Sequence, residues 1–179
     1  MVNDPAGNPL VAALTFDVHP SQPNKYLVGN SAAGLSIWDY TTMTGSVVSY
    51  VKQIDLLGCY SSSTCVASTA NGTNTVFNFN PINLPTITAN SIFYRTVSYP
   101  EIKAMYVSKV LDCVFLLESA QVTITKATTL SSQFYAWPST KFASLMGYCS
   151  GTTCYASIGD HIYPRVKAVN SSEIGRAHV

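Results

Sequence analysis

The chain has 179 residues, a net charge of +1 and only 11% charged residues beside 47% apolar ones, so one ordinary domain with a sizeable core is within its reach. Charge this far below the roughly 25% of average soluble domains leaves the polar surface to Ser, Thr and Asn, which suits β-structure outside the cytosol. It offers no basic block for nucleic acid, and the longest apolar runs, such as Val110 to Leu117, fall far short of the roughly 20 residues that span a bilayer.

In chain order, MVNDPAGNPLV at the N-terminus has neither the basic start nor the apolar centre of a secretory leader. A strand is predicted in VAALTFDV (11–18), followed by a His19-Pro20 corner and then by a hairpin, YLVGNSAAGLSIW, from Tyr26 to Trp38. GSVVSYV from Gly45 reads as a further strand. The order then recurs. QIDLLG (53–58) precedes CVASTANGTNTVF (Cys65 to Phe77) and TITANSIFY from Thr86; EIKAMYV (101–107) precedes CVFLLESAQVTIT (Cys113 to Thr125); KFASLMG (141–147) precedes CYASIGDHIYPRV (Cys154 to Val166). The four thirteen-residue segments align without gaps, and their starts are 39, 48 and 41 residues apart. Three or four strands per unit at a period in the low forties is the pattern of a β-propeller blade.

The expected fold is therefore all-β: an incomplete β-propeller of about four blades, made of antiparallel sheets, over residues 1–172. Its units are centred near 26–38, 65–77, 113–125 and 154–166. A ring needs roughly four to eight blades to lose its free ends, so exposed edges are expected. The last seven residues, EIGRAHV (173–179), resemble the translation of an adapter oligonucleotide ligated to fragments in short-read sequencing, whose next three bases form a stop. They are excluded from fold reasoning. Native sequence is then expected to end near Ser172, and Met1 equally suits an internal methionine.

LTFDVHP followed by NKYLVGNSAAGLSIWDYTT resembles a blade of the WD-repeat family. In that family a strand ending in a Phe-x-x-His/Ser-Pro corner precedes a strand, a small-residue turn and a strand closing in Ile-Trp-Asp. His19-Pro20 matches the corner and Trp38-Asp39 the closing pair, so the resemblance implies blade-structural roles for His19, Trp38 and Asp39. The other units carry Phe77-Asn78, Thr125-Lys126 and Val166-Lys167 in place of Trp-Asp.

LLGCYSSSTCVAS (Leu56 to Ser68) and LMGYCSGTTCYAS (Leu145 to Ser157) are near copies. Each sets two cysteines around a short polar turn, Cys59 with Cys65 and Cys149 with Cys154, where the first strand of a unit turns into the second. Opposed residues of an antiparallel hairpin lie roughly 4.5–5.5 Å apart at Cα, which a disulfide accepts, so each pair is expected to staple its own hairpin. A four-cysteine zinc site and reduced thiols are the rival readings, although the first pair lacks zinc-knuckle spacing. Cys113 is expected as a buried free thiol on the strand position held by Cys65 and Cys154. The sequons Asn71-Gly72-Thr73 and Asn170-Ser171-Ser172 make Asn71 and Asn170 candidate glycosylation sites of a secreted chain.

Groups suited to catalysis are sparse. His19 and His161 have no metal-ligand neighbour at i+2 or i+4. Gly29 to Gly34 has one residue too many for a nucleophile elbow, and Ser49 and Lys52, three apart on a strand, would point to opposite faces. No phosphate loop, dinucleotide fingerprint or calcium loop is present. The run Phe134-Tyr135-Ala136-Trp137-Pro138 suits packing between blades or a recognition surface. No catalytic residue, metal or cofactor is expected.

The expected function is a non-catalytic binding or scaffold module of a secreted or cell-surface protein, whose blade-tip loops recognise a protein or glycan. The full-length domain is expected to close as a monomeric ring. Two alternatives stay open. One is part of a propeller enzyme, quinoprotein-like or carbohydrate-active, with its catalytic groups on other blades; the other is a cytoplasmic WD-repeat scaffold.

Overall fold

A computed structural model of the chain describes residues 13–31, 34–47, 53–69, 75–82, 89–94, 102, 104–117, 121–130, 133–138, 144–150, 153–159 and 165–170. All their regular elements are strands, and among them no helix is long and apolar enough to cross a membrane. The first sheet is β1 (Ala13–Val18), β2 (Lys25–Asn30), β3 (Gly34–Asp39) and β4 (Thr44–Val47). The second is β5 (Leu56–Ser61), β6 (Thr64–Thr69), β7 (Thr75–Phe79) and β8 (Ala89–Tyr94). The third is β9 (Ala104–Val107), β10 (Val114–Leu117), β11 (Gln121–Thr125) and β12 (Gln133–Pro138), and the fourth β13 (Ser144–Ser150), β14 (Thr153–Gly159) and β15 (Arg165–Asn170). Each is an open meander of antiparallel strands in sequence order.

Every thirteen-residue segment falls on the second and third strands of its own sheet, so the all-β, antiparallel hairpin reading holds. The ungapped frame does not. Tyr26 pairs with Trp38, but Cys65 pairs with Phe79, Val114 with Thr125 and Cys154 with Val169. The third unit is displaced by one residue on its second strand: Val114 and Leu116 face the second sheet, where Cys65 and Ala67 face the first. Such a slip turns every side chain of a strand to its other face. Cys113 is accordingly buried and free, as expected, but it precedes β10 and does not share the strand position of Cys65. Alignment by cysteine identity overrode the in-and-out parity of the aliphatic residues beside it. The aromatic run 134–138 also proves to be part of a fourth strand, β12, paired with β11.

Two apolar layers join the first three sheets. Leu27, Leu35 and Ile37 of the first sheet, with Ile54, pack on Cys59, Cys65, Ala67, Phe77 and Phe79 of the second. From the opposite face of the second sheet, Val66 and Val76 pack with Val107, Val114 and Leu116 of the third. The second sheet is thus covered on both faces. That is why β6 and β7, rich in β-branched and aromatic residues, are buried at successive positions instead of alternate ones. The sheets also meet through their first strands in chain order, β1 with β5, β5 with β9 and β9 with β13.

Cys59 and Cys65 are disulfide-bonded across β5 and β6, with Cα atoms 3.9 Å apart, and both are buried in the first layer. The repeated text inverts one dipeptide, Cys59-Tyr60 against Tyr148-Cys149. A register shift between Cys59 and Ser61 takes up the inversion: it leaves Tyr60 without a cross-strand partner and sets Cys59 opposite Cys65. In the fourth sheet the pairing runs unshifted, and Cys149 stands opposite Cys154. Replacing both Cys59 and Cys65 by alanine is expected to lower the unfolding free energy by about 2–2.5 kcal/mol, the loop-entropy value for so short a loop. Urea midpoints of the two chains measure the difference.

Candidate functional site

Because β1, β5 and β9 touch in succession, the connections that leave them gather at one end of the sheets. Asp17, near the end of β1, is the centre of this cluster. Its Oδ2 accepts hydrogen bonds from the backbone N of Cys59 at 2.7 Å and from Nζ of Lys109. Lys109 Nζ donates in addition to the Cys59 carbonyl at 2.6 Å. One carboxylate and one ammonium therefore tie together β1, β5 and the segment after β9, three successive sheets. Beside them Ser21 Oγ donates to the Ser62 carbonyl at 3.2 Å. The Lys109 side chain is 55% exposed, so the ion pair adds little stability, about 0–1 kcal/mol. Its larger effect is to hold an ammonium at a fixed place against β1 and β5.

His19, buried at the corner after β1, braces the same end. Its Nδ1 accepts from the backbone N of Ser21 at 3.2 Å, which assigns the proton to Nε2, 3.3 Å from the Pro81 carbonyl beyond β7. Burial lowers the pKa of the ring, the Pro81 hydrogen bond opposes this, and Lys25 lowers it further. With the folded value below the ordinary 6.5, the unfolded chain takes up the proton first as pH falls. The contribution of His19 is full above the unfolded pKa and is lost as pH falls toward the folded one. Urea midpoints measured from about pH 7.5 down to about pH 5 are expected to fall, and His19→Gln to flatten that part of the decline.

The Trp38-Asp39 pair divides its work. Asp39 Oδ1 accepts from the backbone N and Oγ1 of Thr41 at 2.9 and 2.5 Å and from the N of Thr42 at 3.3 Å, while Oδ2 accepts from Asn24 Nδ2 at 2.8 Å. These bonds, the Thr41 hydroxyl first, hold the carboxyl below its usual range and close the turn between β3 and β4. Trp38 Nε1 donates to Ser36 Oγ at 3.2 Å, and the indole lies across Gly45, where a Cβ would stand 2.5 Å from Trp38 Cε2. In the second sheet Phe77 and Asn78 hold the corresponding positions. Phe77 packs on the first sheet, and Asn78 Nδ2 donates to the carbonyls of Ala127 and Thr128 at 2.7 and 2.8 Å, reaching the third. Read in sequence, Phe77-Asn78 is a departure from a motif; in space it joins three sheets.

The cluster of Asp17, Lys109, Ser21 and Ser62 has no signature in the sequence. Asp17 and Lys109 are isolated charges 92 positions apart, brought together only by sheet stacking. Cys113 offers no reactive thiolate, because burial pushes its pKa up to about 12 against a hydrogen bond with Ser108. Among the described residues no group of three or more His, Cys, Asp or Glu comes together. Asn71, His161, Ser49, Lys52 and the tail 173–179 lie outside the described residues, while Asn170 closes β15 opposite Thr153.

The sequence matches no protein-family model and no curated protein. Among solved structures, the fold is shared with the crystal structure of a computationally designed protein, Ika8, at a TM-score of 0.59 and 14% identity. The match covers 92% of this chain and 50% of that one, so the chain spans about half the length of the designed protein.

Proposed function

We propose that the four sheets are blades of a WD-repeat-like β-propeller and that the chain is a non-catalytic binding module of a secreted or cell-surface protein. The recognition face is the end built around Asp17 and Lys109, and the partner is a protein or a glycan. One observation carries this reading: successive sheets stack face to face in chain order while their first strands touch one another, the arrangement of blades about an axis. The buried Cys59–Cys65 disulfide supports an oxidising, extracellular setting. Ser21, Ser62 and Ser63, exposed in the connections that follow β1 and β5, and the Lys109 ammonium held on Asp17 and the Cys59 carbonyl supply hydroxyls and one fixed cation, groups that suit hydrogen bonding to a polar, hydroxylated or acidic surface.

The reading is tested with oxidised protein offered to a glycan array and to a library of displayed extracellular domains. Specific binding to one class is expected, weakened about tenfold by Lys109→Ala, as for loss of one charge-assisted hydrogen bond. Binding that is indifferent to Lys109 would refute the proposed face.

A further inference from the structure

A cavity of about 310 Å³ lies on the first sheet, bounded by Lys25 of β2, Ile37 and Asp39 of β3, and Thr44, Gly45 and Ser46 of β4. Strand register explains its make-up. Lys25 stands opposite Asp39 and Asp39 opposite Thr44; two residues along, Leu27 stands opposite Ile37 and Ile37 opposite Ser46. By the two-residue period of a strand these side chains share the face that carries Leu27 and Ile37 into the first apolar layer. Ile37 belongs to both layer and cavity, and gives the cavity an apolar floor. The β3–β4 wall is fixed in advance: Asp39 closes the turn, and the Trp38 indole lies across Gly45 on the opposite side of β4. A wall already ordered lowers the cost of binding.

The lining sets the chemistry of what fits. Lys25 only donates hydrogen bonds, the Asp39 carboxylate only accepts them, and the hydroxyls of Thr44 and Ser46 do either. Among the described residues the Lys25 ammonium has no carboxylate partner and the Ser46 hydroxyl no hydrogen bond. Asp39 Oδ1 is spent on Thr41 and Thr42, whereas Oδ2 accepts only from Asn24 and keeps a lone pair. The two formal charges cancel, so an anion is opposed by Asp39 and a cation by Lys25. A neutral molecule with hydroxyls on adjacent carbons and one apolar face meets neither penalty. Of two neighbouring hydroxyls one donates to Asp39 Oδ2 and the other accepts from Lys25, while the C–H face of the ring rests on Ile37. The volume is at the lower end of ligand sites, roughly 300–1,000 Å³, which limits the occupant to a small molecule.

We infer that this cavity binds a single neutral sugar ring, held by Lys25 and Asp39 through adjacent hydroxyls. All its residues belong to one sheet, so the site depends neither on the stacked blades nor on the face around Lys109.

The oxidised, 15N-labelled chain is titrated with the methyl glycosides of glucose, galactose and mannose, with sodium acetate and glycine as charged references. At least one glycoside is expected to shift the amide resonances of residues 25, 37, 39 and 44–46, with a dissociation constant of about 1 mM, as for a ligand of about a dozen non-hydrogen atoms. Lys25→Met, which keeps the aliphatic stem, is expected to weaken binding about tenfold or more, as for loss of a charge-assisted hydrogen bond. Ser46→Phe, at an exposed position on the last strand of its sheet, should fill the cavity and abolish the shifts, with the rest of the spectrum in place. No response to any glycoside up to about 50 mM, a response that acetate or glycine matches, or one that survives either substitution would each overturn the inference. The same spectra separate the two sites. Shifts confined to Asp17, Ser21 and Lys109 would remove the cavity and favour the Lys109 face, whereas cavity shifts beside partner binding indifferent to Lys109 would uphold the cavity and refute that face.

Discussion

Phe77→Ala is expected to lower the unfolding free energy by about 3–5 kcal/mol, the range for deleting a buried phenylalanine. Phe77 is 2% exposed, lies in the layer between the first and second sheets, and has its ring centroid 5.8 Å from that of Phe79. The large effect depends on the stack. On a sheet with a solvated face the same residue would lose little beyond a fraction of its transfer energy, whereas here the cavity opens between two sheets that cannot both collapse into it. Against the roughly 5–15 kcal/mol of ordinary domain stability, the loss is a large share of the whole. A urea titration followed by tryptophan fluorescence reads it as a fall in midpoint. A change below about 1 kcal/mol would mean that the first two sheets do not share a core.

Strand existence was legible because it rests on local pattern. Alternation and turn residues marked β1 to β3, β5 to β7 and the paired segments of the third and fourth units, and the repeated cysteine text marked the stapled hairpin of β5 and β6 and the opposition of Cys149 and Cys154 across β13 and β14. Register was less legible. A bulge at Tyr60 and a one-residue slip before Val114 leave almost no trace in composition, yet each decides which side chains enter a core. The strand β12 was hidden for a related reason, since an aromatic run reads equally as a surface and as a buried element. Least legible was the polar cluster at the end of the sheets. Asp17 and Lys109 become partners only after three sheets have stacked, and no spacing rule along a chain anticipates a contact of that kind.

The same logic separates the elements of the Trp-Asp resemblance. Asp39 acts within its own sheet, closing its own turn and accepting from Asn24 before β2, so a motif confined to one unit describes it. Asn78 stands in the aspartate position of the next unit and spends its amide on the third sheet. A motif built on local roles will therefore miss units whose residues have been turned to joining sheets.

The stacking itself is tested most directly at Gly58. A Cβ placed there would lie 2.6 Å from Val107 Cγ2 and 2.8 Å from Val107 Cβ, while the next nearest atom, the Val107 backbone N, is 3.8 Å away. The second sheet thus approaches the third so closely at their first strands that one methyl group has no room. Gly58→Ala alone is expected to destabilise the chain by about 2–3 kcal/mol, as for overpacking of a tight core. Val107→Gly removes the obstructing atoms, so the doubly substituted chain should be more stable than the sum of the single effects predicts, by at least about 1 kcal/mol. Strict additivity of the two substitutions in matched urea titrations would contradict the stacking of β5 on β9, and with it the blade arrangement we propose.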